Sequence, residues 1–555
     1  MNYRPWHDHY DYCVPPTARY PRLAVHELLQ VPANAYPEKE ALIFEGKAIT
    51  FWQLREHVLR MGNALGTIGI KKGDRVGIHL PTCPQYAIAY FAVLSLGAIV
   101  VNLNPLYRVD ELAGTINNTE PVALFTIDTS LPTIRTLLQH TEIPLIIVTR
   151  LEDFSGHAEK QPFKALDLDE GWLNFSTLLE TTSHKGLPRV NITPDDPALI
   201  QFTGGTTGIP KGAVLTHANM IAATLQFYLW LGPIFQMFSA ERRSTLLVLP
   251  LFHIYGNLMF TGSIFACSTQ IMMPRFQIDE VMETMAGFRE ITNFPAVPTM
   301  ITAILNHPRT EELTLGKKLG LLGSGGAPLP VSLIEQIMDL GIFYQEGAGM
   351  TETAAMGHLL PVLGMKKPGS IGLPAPDMDV RLVDLVDGLQ DVRQGEPGEI
   401  IFKGPNVTKG YWKNPEETAG QIRNGWLYTG DIAVRDEDGY AFIVDRKKDM
   451  IIAGGFNIYP REIDEVLYRH PKVKAAVAVG IPDEYRGETV KVFVVPKDGE
   501  ILTEEELKNY CKEKLVAYKV PRYFEFRNEL PQSAAGKVLR KVLKDEELAK
   551  KQIKK

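Results

Sequence analysis

The sequence predicts an α/β protein, with a large N-terminal body of parallel-rich sheets covered by helices and a small α+β domain at the C-terminal end. Three observations carry this expectation. Short β-rich runs (RVGIHL, AIVVNLNP, PVALFTID, PLIIVT) alternate with helical periods along the body, as in parallel sheets packed between helices. Around Asp445 the texture changes, DRKKDMIIAGGFN being charged and then glycine-rich. After it comes a compact unit of strands and capped helices. The expected domains are therefore residues 1–447 and 448–555.

In chain order, Tyr86 to Val101 (YAIAYFAVLSLGAIVV) carries no charge but is short for a membrane span and is broken by Gly97, so it reads as a buried helix running into a buried strand. Ala198 to Phe202 (ALIQF) reads as a buried strand, and an apolar period from about Asn219 through Met220, Ala223, Thr224 and Phe227 reads as a helix. In the C-terminal unit, Pro460 suits the first position of a helix with Ile463, Val466 and Leu467 on one face. VKAAVAVG and TVKVFVVP read as strands. Thr503 and Glu506 form a predicted capping box for a helix whose apolar face carries Leu507, Tyr510, Cys511 and Leu515.

Composition excludes several classes. A chain of 555 residues, 45% hydrophobic, is too long for one core and is multidomain. A net charge of -7 leaves no footprint for nucleic acid. Cys13, Cys83, Cys267 and Cys511 are far apart and form no CxxC pair, which argues against a disulfide framework or a zinc site and fits a reducing cytoplasm. The opening MNYRPWHDHYDYCVPP lacks an apolar core of the secretory type. The terminal KKQIKK reads as a solvated tail, with weak attraction to an anionic membrane surface as the alternative.

The most pointed chemistry lies in TGGTTGIPKG, Thr203 to Gly212. Gly204, Gly205 and Gly208 let backbone N–H groups approach an anion, Thr203, Thr206 and Thr207 add hydroxyl donors, and Lys211 adds a point charge. It is not a Walker A loop, because Pro210 precedes the lysine and Gly212 follows it. EGAGMTET (Glu346 to Thr353) sets Thr351, a hydroxyl donor, beside Glu352, a hard oxygen ligand of the kind Mg2+ accepts together with phosphate. YTGD ends in Asp431, a carboxylate suited to two ribose hydroxyls, and DRKKD brings Arg446 as a donor. The last loop, PQSAAGKVLR, presents Lys537 after Ala535 and Gly536.

TGGTTGIPKG, GMTE, YTGD, DRKKDMI and the final GK together resemble the AMP-forming acyl- and aryl-CoA synthetase superfamily, which also holds firefly luciferase and nonribosomal adenylation domains. The similarity runs from about Leu23 to Val542, and NGWLYTGDIAVRDEDGYAFIVDRKKDMIIAGGFNIYPREIDEVL is most similar to bacterial long-chain fatty-acid CoA ligases. The resemblance implies two steps, acyl-AMP formation from a carboxylate and ATP, then displacement of AMP by the thiol of coenzyme A. It assigns the loop from Thr203 to Lys211 to the β- and γ-phosphates, Thr351 to the α-phosphate, Glu352 to Mg2+, and Lys537 to the substrate carboxylate. It makes the C-terminal domain a mobile lid hinged at Lys448, whose rotation turns Gly454 and Gly455 toward the CoA arm. His253 in PLFHIYG is the implied wall of the acyl pocket, and Gly325, Gly326 and Ala327 in GSGGAPLP lie along adenine, with Ala348 and Gly349 in the neighbouring motif. A medium- or long-chain fatty acid is the expected substrate. An aryl or other carboxylate, or a nucleotide-binding member with weakened catalysis, is the alternative. The expected partners are the acid, ATP and CoA, with no nucleic acid; peripheral contact at the inner membrane surface and a homodimer are the further associations considered.

Two positions depart from the family pattern. Where members usually read GYG, this chain has Gly347-Ala348-Gly349, so the tyrosine that flanks adenine is missing. Stacking a base on an aromatic contributes about 1–3 kcal/mol. Tyr344 is the candidate to compensate, and a wider pocket for a bulky acid is the other consequence. Ala535 stands where Thr or Ser commonly precedes GK, a loss of one hydroxyl.

Overall fold

Parallel strands with helical crossovers build most of the chain, as the alternation of patterns predicts. The computed structural model describes residues 4–156, 166–184, 186, 189–203, 211–327, 329–454, 456–483, 485–532 and 538–553. These fall into two compact units, the second formed by Val380–Phe402 and Trp426–Lys555 and the first by the remaining described residues.

The first unit holds two sheets. In one, six parallel strands run in the order Leu173–Asn174, Leu145–Thr149, Ala123–Ile127, Arg75–His79, Ile99–Asn102 and Pro197–Phe202, and Gly212–Thr216 closes the edge antiparallel to the last. The other has a parallel core of Glu40–Phe44, Thr269–Met272, Ser244–Leu247, Ile291–Ala296, Leu319–Gly325 and Phe343–Ala348, with short antiparallel strands outside it. The four runs singled out in the sequence are the strands at Arg75–His79, Ile99–Asn102, Ala123–Ile127 and Leu145–Thr149.

The uncharged segment after Tyr86 is the helix Pro84–Ser95, buried along its whole length, followed by the buried strand Ile99–Asn102. Its polar atoms are met inside the core: Tyr86 donates its hydroxyl to Asn102 Oδ1 (2.6 Å) and Tyr90 donates to Asn257 Oδ1 (3.1 Å). Among the described residues no helix is long and apolar enough to cross a membrane, and all four cysteines are free.

The predicted strand at Ala198–Phe202 and helix near Asn219 are present as Pro197–Phe202 and His217–Trp230. Between the two the chain returns as the strand Gly212–Thr216, antiparallel to Pro197–Phe202. Gly212 and Ala213 have weak β-propensity and blur the strand signal of this short run; its place comes from pairing with Pro197–Phe202.

In the second unit, an antiparallel sheet contains Gly398–Lys403, Trp426–Arg435 and Ala441–Arg446. A second sheet pairs Val473–Asp483 with Gly487–Pro496, flanked by Ile451–Ala453, Phe456–Ile458 and Tyr523–Phe526. The long hairpin sorts its side chains by strand period. Ala476, Ala478, Val490, Val492 and Val494 meet the helices Pro460–Tyr468 and Glu504–Lys514, while Val477, Val479, Phe493 and Val495 form the opposite core with Leu530 and Leu543. Thr503 caps its helix as expected, accepting from Glu506 N at 3.1 Å. The Glu506 carboxylate pairs with Lys472 at 3.0 Å, a cation the local motif could not foresee.

A buried charge network ties this unit together. Asp445, at the end of its strand, accepts from the backbone of Arg461 (2.8 Å) in the first turn of the helix Pro460–Tyr468. Asp464 on that helix accepts from Ala478 N (2.6 Å) and pairs with Arg540. Burial pushes the Asp464 carboxyl up to about 6, with Arg540 opposing. A carboxyl raised in the folded state keeps its proton between its unfolded value, about 3.9, and about 6. The site therefore adds stability as pH falls below 6 and loses it as pH rises through 6. Thermal unfolding midpoints of wild type and Asp464→Asn should show the wild type losing ground relative to the variant between pH 5 and pH 7, whatever their offset. A difference that is flat or opposite in sign would remove this assignment.

Candidate active site

The parallel strands of both sheets deliver the motif residues at their carboxyl ends, where open α/β sheets bind ligands. Pro197–Phe202 leads into the loop at Thr203, and Thr203 N donates to Lys211 O (2.9 Å) to close its base. Gly204, Gly205, Thr206, Thr207 and Gly208 lie outside the described residues. Gly212 is required on steric grounds, since a Cβ there would stand 2.7 Å from Ile200 Cγ2.

Phe343–Ala348 ends in a tight turn at Thr351–Thr353 that carries Thr351 and Glu352. Two alanines follow with positive φ, Ala354 (49°) and Ala355 (67°), a conformation non-glycine residues resist. Asn406, fully buried, holds the turn by donating to Thr353 O (2.7 Å) and Met356 O (2.9 Å). The same fold makes Gly349 obligatory, because a Cβ there would lie 2.0 Å from Ala355 O.

A segment that sequence reading passed over joins loop and turn. Thr408 N donates to Glu352 O (2.7 Å), Val214 N to Gly410 O (2.9 Å) and Trp412 N to Gly212 O (2.7 Å), laying Thr408–Trp412 along the strand Gly212–Thr216. Tyr411 thereby reaches Glu352, donating to Oε1 at 2.6 Å, and the Lys211 ammonium stands 5.8 Å from the centre of its ring. Lys211 is ion-paired with Glu417 on the helix Pro415–Gln421. Desolvation, followed by the charge of Glu352, raises the Tyr411 phenol well above its ordinary range, so it stays a donor. The only signals in the sequence were an aromatic in GYW and an acid in NPEET, both ordinary surface patterns.

Glu352 is a buried carboxylate, 6% exposed. Among the described residues no group of three or more His, Cys, Asp or Glu forms a metal cage. Mg2+ is usually held by one or two carboxylates plus substrate phosphates, so one buried acid across Tyr411 from Lys211 fits it.

Gly325 pairs with Gly347 across adjacent strands, and Gly326 has φ +81°. Ala327 follows, half-buried. The ring of Tyr255 packs on Gly325, where a Cβ would come within 3.1 Å of it. Ala348 is half-buried at the strand end, in register with His358. Tyr344 does not offer a free ring beside it: the side chain is fully buried and donates to Glu346 Oε2 at 2.8 Å. The aromatic standing against the Gly323–Gly325 backbone is Tyr255, two residues after His253. His253 is exposed and caps the helix Ile254–Phe265, Nδ1 accepting from Tyr255 N at 3.2 Å. Gln201, from the strand that precedes the phosphate loop, donates to Phe252 O (2.7 Å) and so ties this turn to that strand.

In the second unit Asp431 and Arg446 face each other across antiparallel strands, Arg446 Nε to Asp431 Oδ1 at 2.9 Å. Beside them Glu399, nearly buried, accepts from Gly430 N (3.0 Å) and Lys447 Nζ (3.0 Å). Lys448 is exposed in the turn that follows. Gly454 has φ +60° and donates to Arg486 O at 2.8 Å. Gly455 and Lys537 lie outside the described residues.

Tyr411 thus brings a lysine and a buried carboxylate together at strand ends. The family model of AMP-binding enzyme matches residues 29–412, and that of the AMP-binding enzyme C-terminal domain matches 462–537. The chain belongs to the AMP-binding enzyme family. It is 37% identical over 565 residues to a long-chain-fatty-acid–CoA ligase of Bacillus subtilis, covering 99% of each chain. It is 34% identical to a feruloyl-CoA synthase of Amycolatopsis over 92% of this chain and 96% of the relative. Among solved structures, an anthranilate CoA ligase in complex with anthranoyl-AMP superposes with a TM-score of 0.83 at 25% identity, covering 96% of this chain and 98% of that one. ATP-bound MatB from Rhodopseudomonas palustris gives 0.81 at 28% identity, covering 94% and 99%. The chain is accordingly an AMP-forming CoA ligase that uses ATP, Mg2+ and coenzyme A.

Because Tyr344 is turned into the core and Ala348 stands where the family has tyrosine, Ala348→Tyr should tighten ATP binding about 5- to 150-fold, the range that stacking worth about 1–3 kcal/mol gives. Calorimetric titration with ATP measures it, and an unchanged affinity would rule out stacking at this position.

Proposed function

We propose that the acid activated is a medium- or long-chain fatty acid, and that the residues gathered around Lys211 and Glu352 handle the triphosphate. The observation that carries the second part is the hydrogen bond from Tyr411 to Glu352 beneath the Lys211 ammonium, which sets a cation and a metal-type carboxylate side by side at the strand ends. The substrate class is supported by the long-chain-fatty-acid–CoA ligases among the relatives.

In the first step the substrate carboxylate attacks the α-phosphorus of ATP and pyrophosphate leaves with the bonding pair. Two anions must approach, so N–H donors and cations have to offset the charge that builds on the transferred group. The loop from Thr203 to Lys211 holds the leaving β- and γ-phosphates, Thr351 donates to the α-phosphate, and Lys537 binds the carboxylate. Glu352, oriented by Tyr411, would hold Mg2+, which supplies charge neutralisation on the phosphates. Asp431 accepts from the ribose hydroxyls, with Arg446 keeping its carboxylate in place. In the second step the thiol of CoA attacks the acyl carbonyl, AMP leaves, and the thiol proton passes to solvent.

Lys537 serves the first step, so residues 448–555 act as a lid that rotates about Lys448 and brings Gly454 and Gly455 to the CoA arm. Lys448→Pro should retain acyl-AMP formation and slow thioester formation, read separately as pyrophosphate exchange and CoA consumption; equal loss of both would remove the hinge. The site of action we propose is cytoplasmic, with peripheral contact at the inner membrane surface and a homodimer as further associations.

A second reading, an aryl acid, is favoured by the feruloyl-CoA synthase relative and by the small Ala348 at the strand end. Pyrophosphate release across short, medium, long and aryl carboxylates decides between them. Long-chain acids should give the highest kcat/KM, and a maximum with aryl acids would transfer the assignment.

A further inference from the structure

The Lys211 ammonium already has an anion, the Glu417 carboxylate. Both side chains keep about a third of their surface exposed, 33% and 31%, so a solute can reach the pair. Glu417 is held by its helix: Asn414 Oδ1 accepts from Glu417 N at 3.1 Å, and Pro415 occupies the first position. One turn on, Gln421 lies on the same helix face, its amide 2.9 Å from the Tyr411 hydroxyl that donates to Glu352. The Gln421 oxygen and nitrogen are interchangeable assignments, and with NH2 turned inward it donates to the phenol while the phenol donates to Glu352. A single helical turn thus holds both the lysine and, through Tyr411, the carboxylate.

We propose that Glu417 is a displaceable counter-ion, a stand-in for phosphate that keeps Lys211 over Tyr411 until a polyphosphate replaces it, and that it thereby sets the affinity of the site for triphosphate and pyrophosphate. The proposal rests on the reading that Lys211 binds phosphate. Lysine is a compact point charge without the forked geometry of arginine, so it exchanges one oxyanion for another without losing a bidentate fit. Holding it by a carboxylate removes the entropy of ordering a long side chain when the ligand arrives. The opposing effect is larger, because the phosphate must break the pair and then sit beside the released carboxylate, a like charge. Glu417 therefore weakens polyphosphate binding and so eases pyrophosphate release.

Calorimetric titration of the full chain with ATP, inorganic pyrophosphate and AMP, in EDTA and again in Mg2+, tests this. Glu417→Gln should bind ATP and pyrophosphate about two- to fivefold more tightly, the range expected for losing a partly exposed ion pair, and AMP as before. Glu416→Gln, the same charge change at an exposed neighbour, should leave all three affinities unaltered. In a Lys211→Ala background, where no ion pair remains to be broken and only repulsion between carboxylate and phosphate is relieved, the gain from Glu417→Gln should be smaller. Weaker or unchanged ATP binding in Glu417→Gln, equal tightening in Glu416→Gln, equal tightening for AMP, or a gain undiminished without Lys211 would each overturn the proposal. If Glu417→Gln does not fold, Glu417→Asp, which withdraws the carboxylate by one methylene, should still tighten ATP, and weaker binding overturns the proposal equally. A wild type that binds no ATP would instead sink the underlying reading of Lys211.

Discussion

The pairing of Thr408–Trp412 with the strand Gly212–Thr216 is the contact on which the phosphate end of the site depends. Three backbone hydrogen bonds of 2.7 to 2.9 Å, one of them to Glu352 O, carry Tyr411 between Lys211 and Glu352. The hairpin alone would present a lysine on a loop. The turn alone would present a buried acid with no donor from Tyr411. Placed together they form a polar wall whose members satisfy one another, which is the condition for keeping a carboxylate only 6% exposed.

Around that wall the backbone is shaped by close approach. Gly349 and Gly212 each sit where a side chain would strike a neighbour, and Ala354 and Ala355 adopt left-handed φ in a turn that the buried Asn406 fastens. Strained conformations of this kind persist only where the surroundings over-determine them. The turn that carries Thr351 and Glu352 is held in this way from both sides.

Much of the molecule is legible before folding. The strands at Arg75–His79, Ile99–Asn102, Ala123–Ile127 and Leu145–Thr149 are continuous apolar runs because parallel strands are covered on both faces. The helix Pro84–Ser95 reads as buried because it has no charged side at all. Gly212–Thr216 was not legible, since its strand character comes from a partner rather than from its own residues. Tyr344 illustrates the converse: its position beside the GAG motif suggests a stacking ring, yet strand alternation sends it into the core, and Tyr255 is the aromatic that meets Gly325. Asp431 and Arg446, separated in sequence, come into one ion pair because antiparallel register puts them opposite each other.

By itself the sequence determined the fold class, the family and the inventory of charged and glycine-rich strings, because apolar periodicity and loop composition are local properties that survive without a fold. Which oxygen faces which nitrogen was decided by tertiary structure alone. Tyr411 and Glu417 lie hundreds of residues from Lys211 in the chain and within ion-pair or ring distance of it in space. Electrostatic attraction and hydrogen bonding fall off over a few ångströms, so the partnership of Lys211, Glu417, Tyr411 and Glu352 exists only once strand pairing has brought their backbones together.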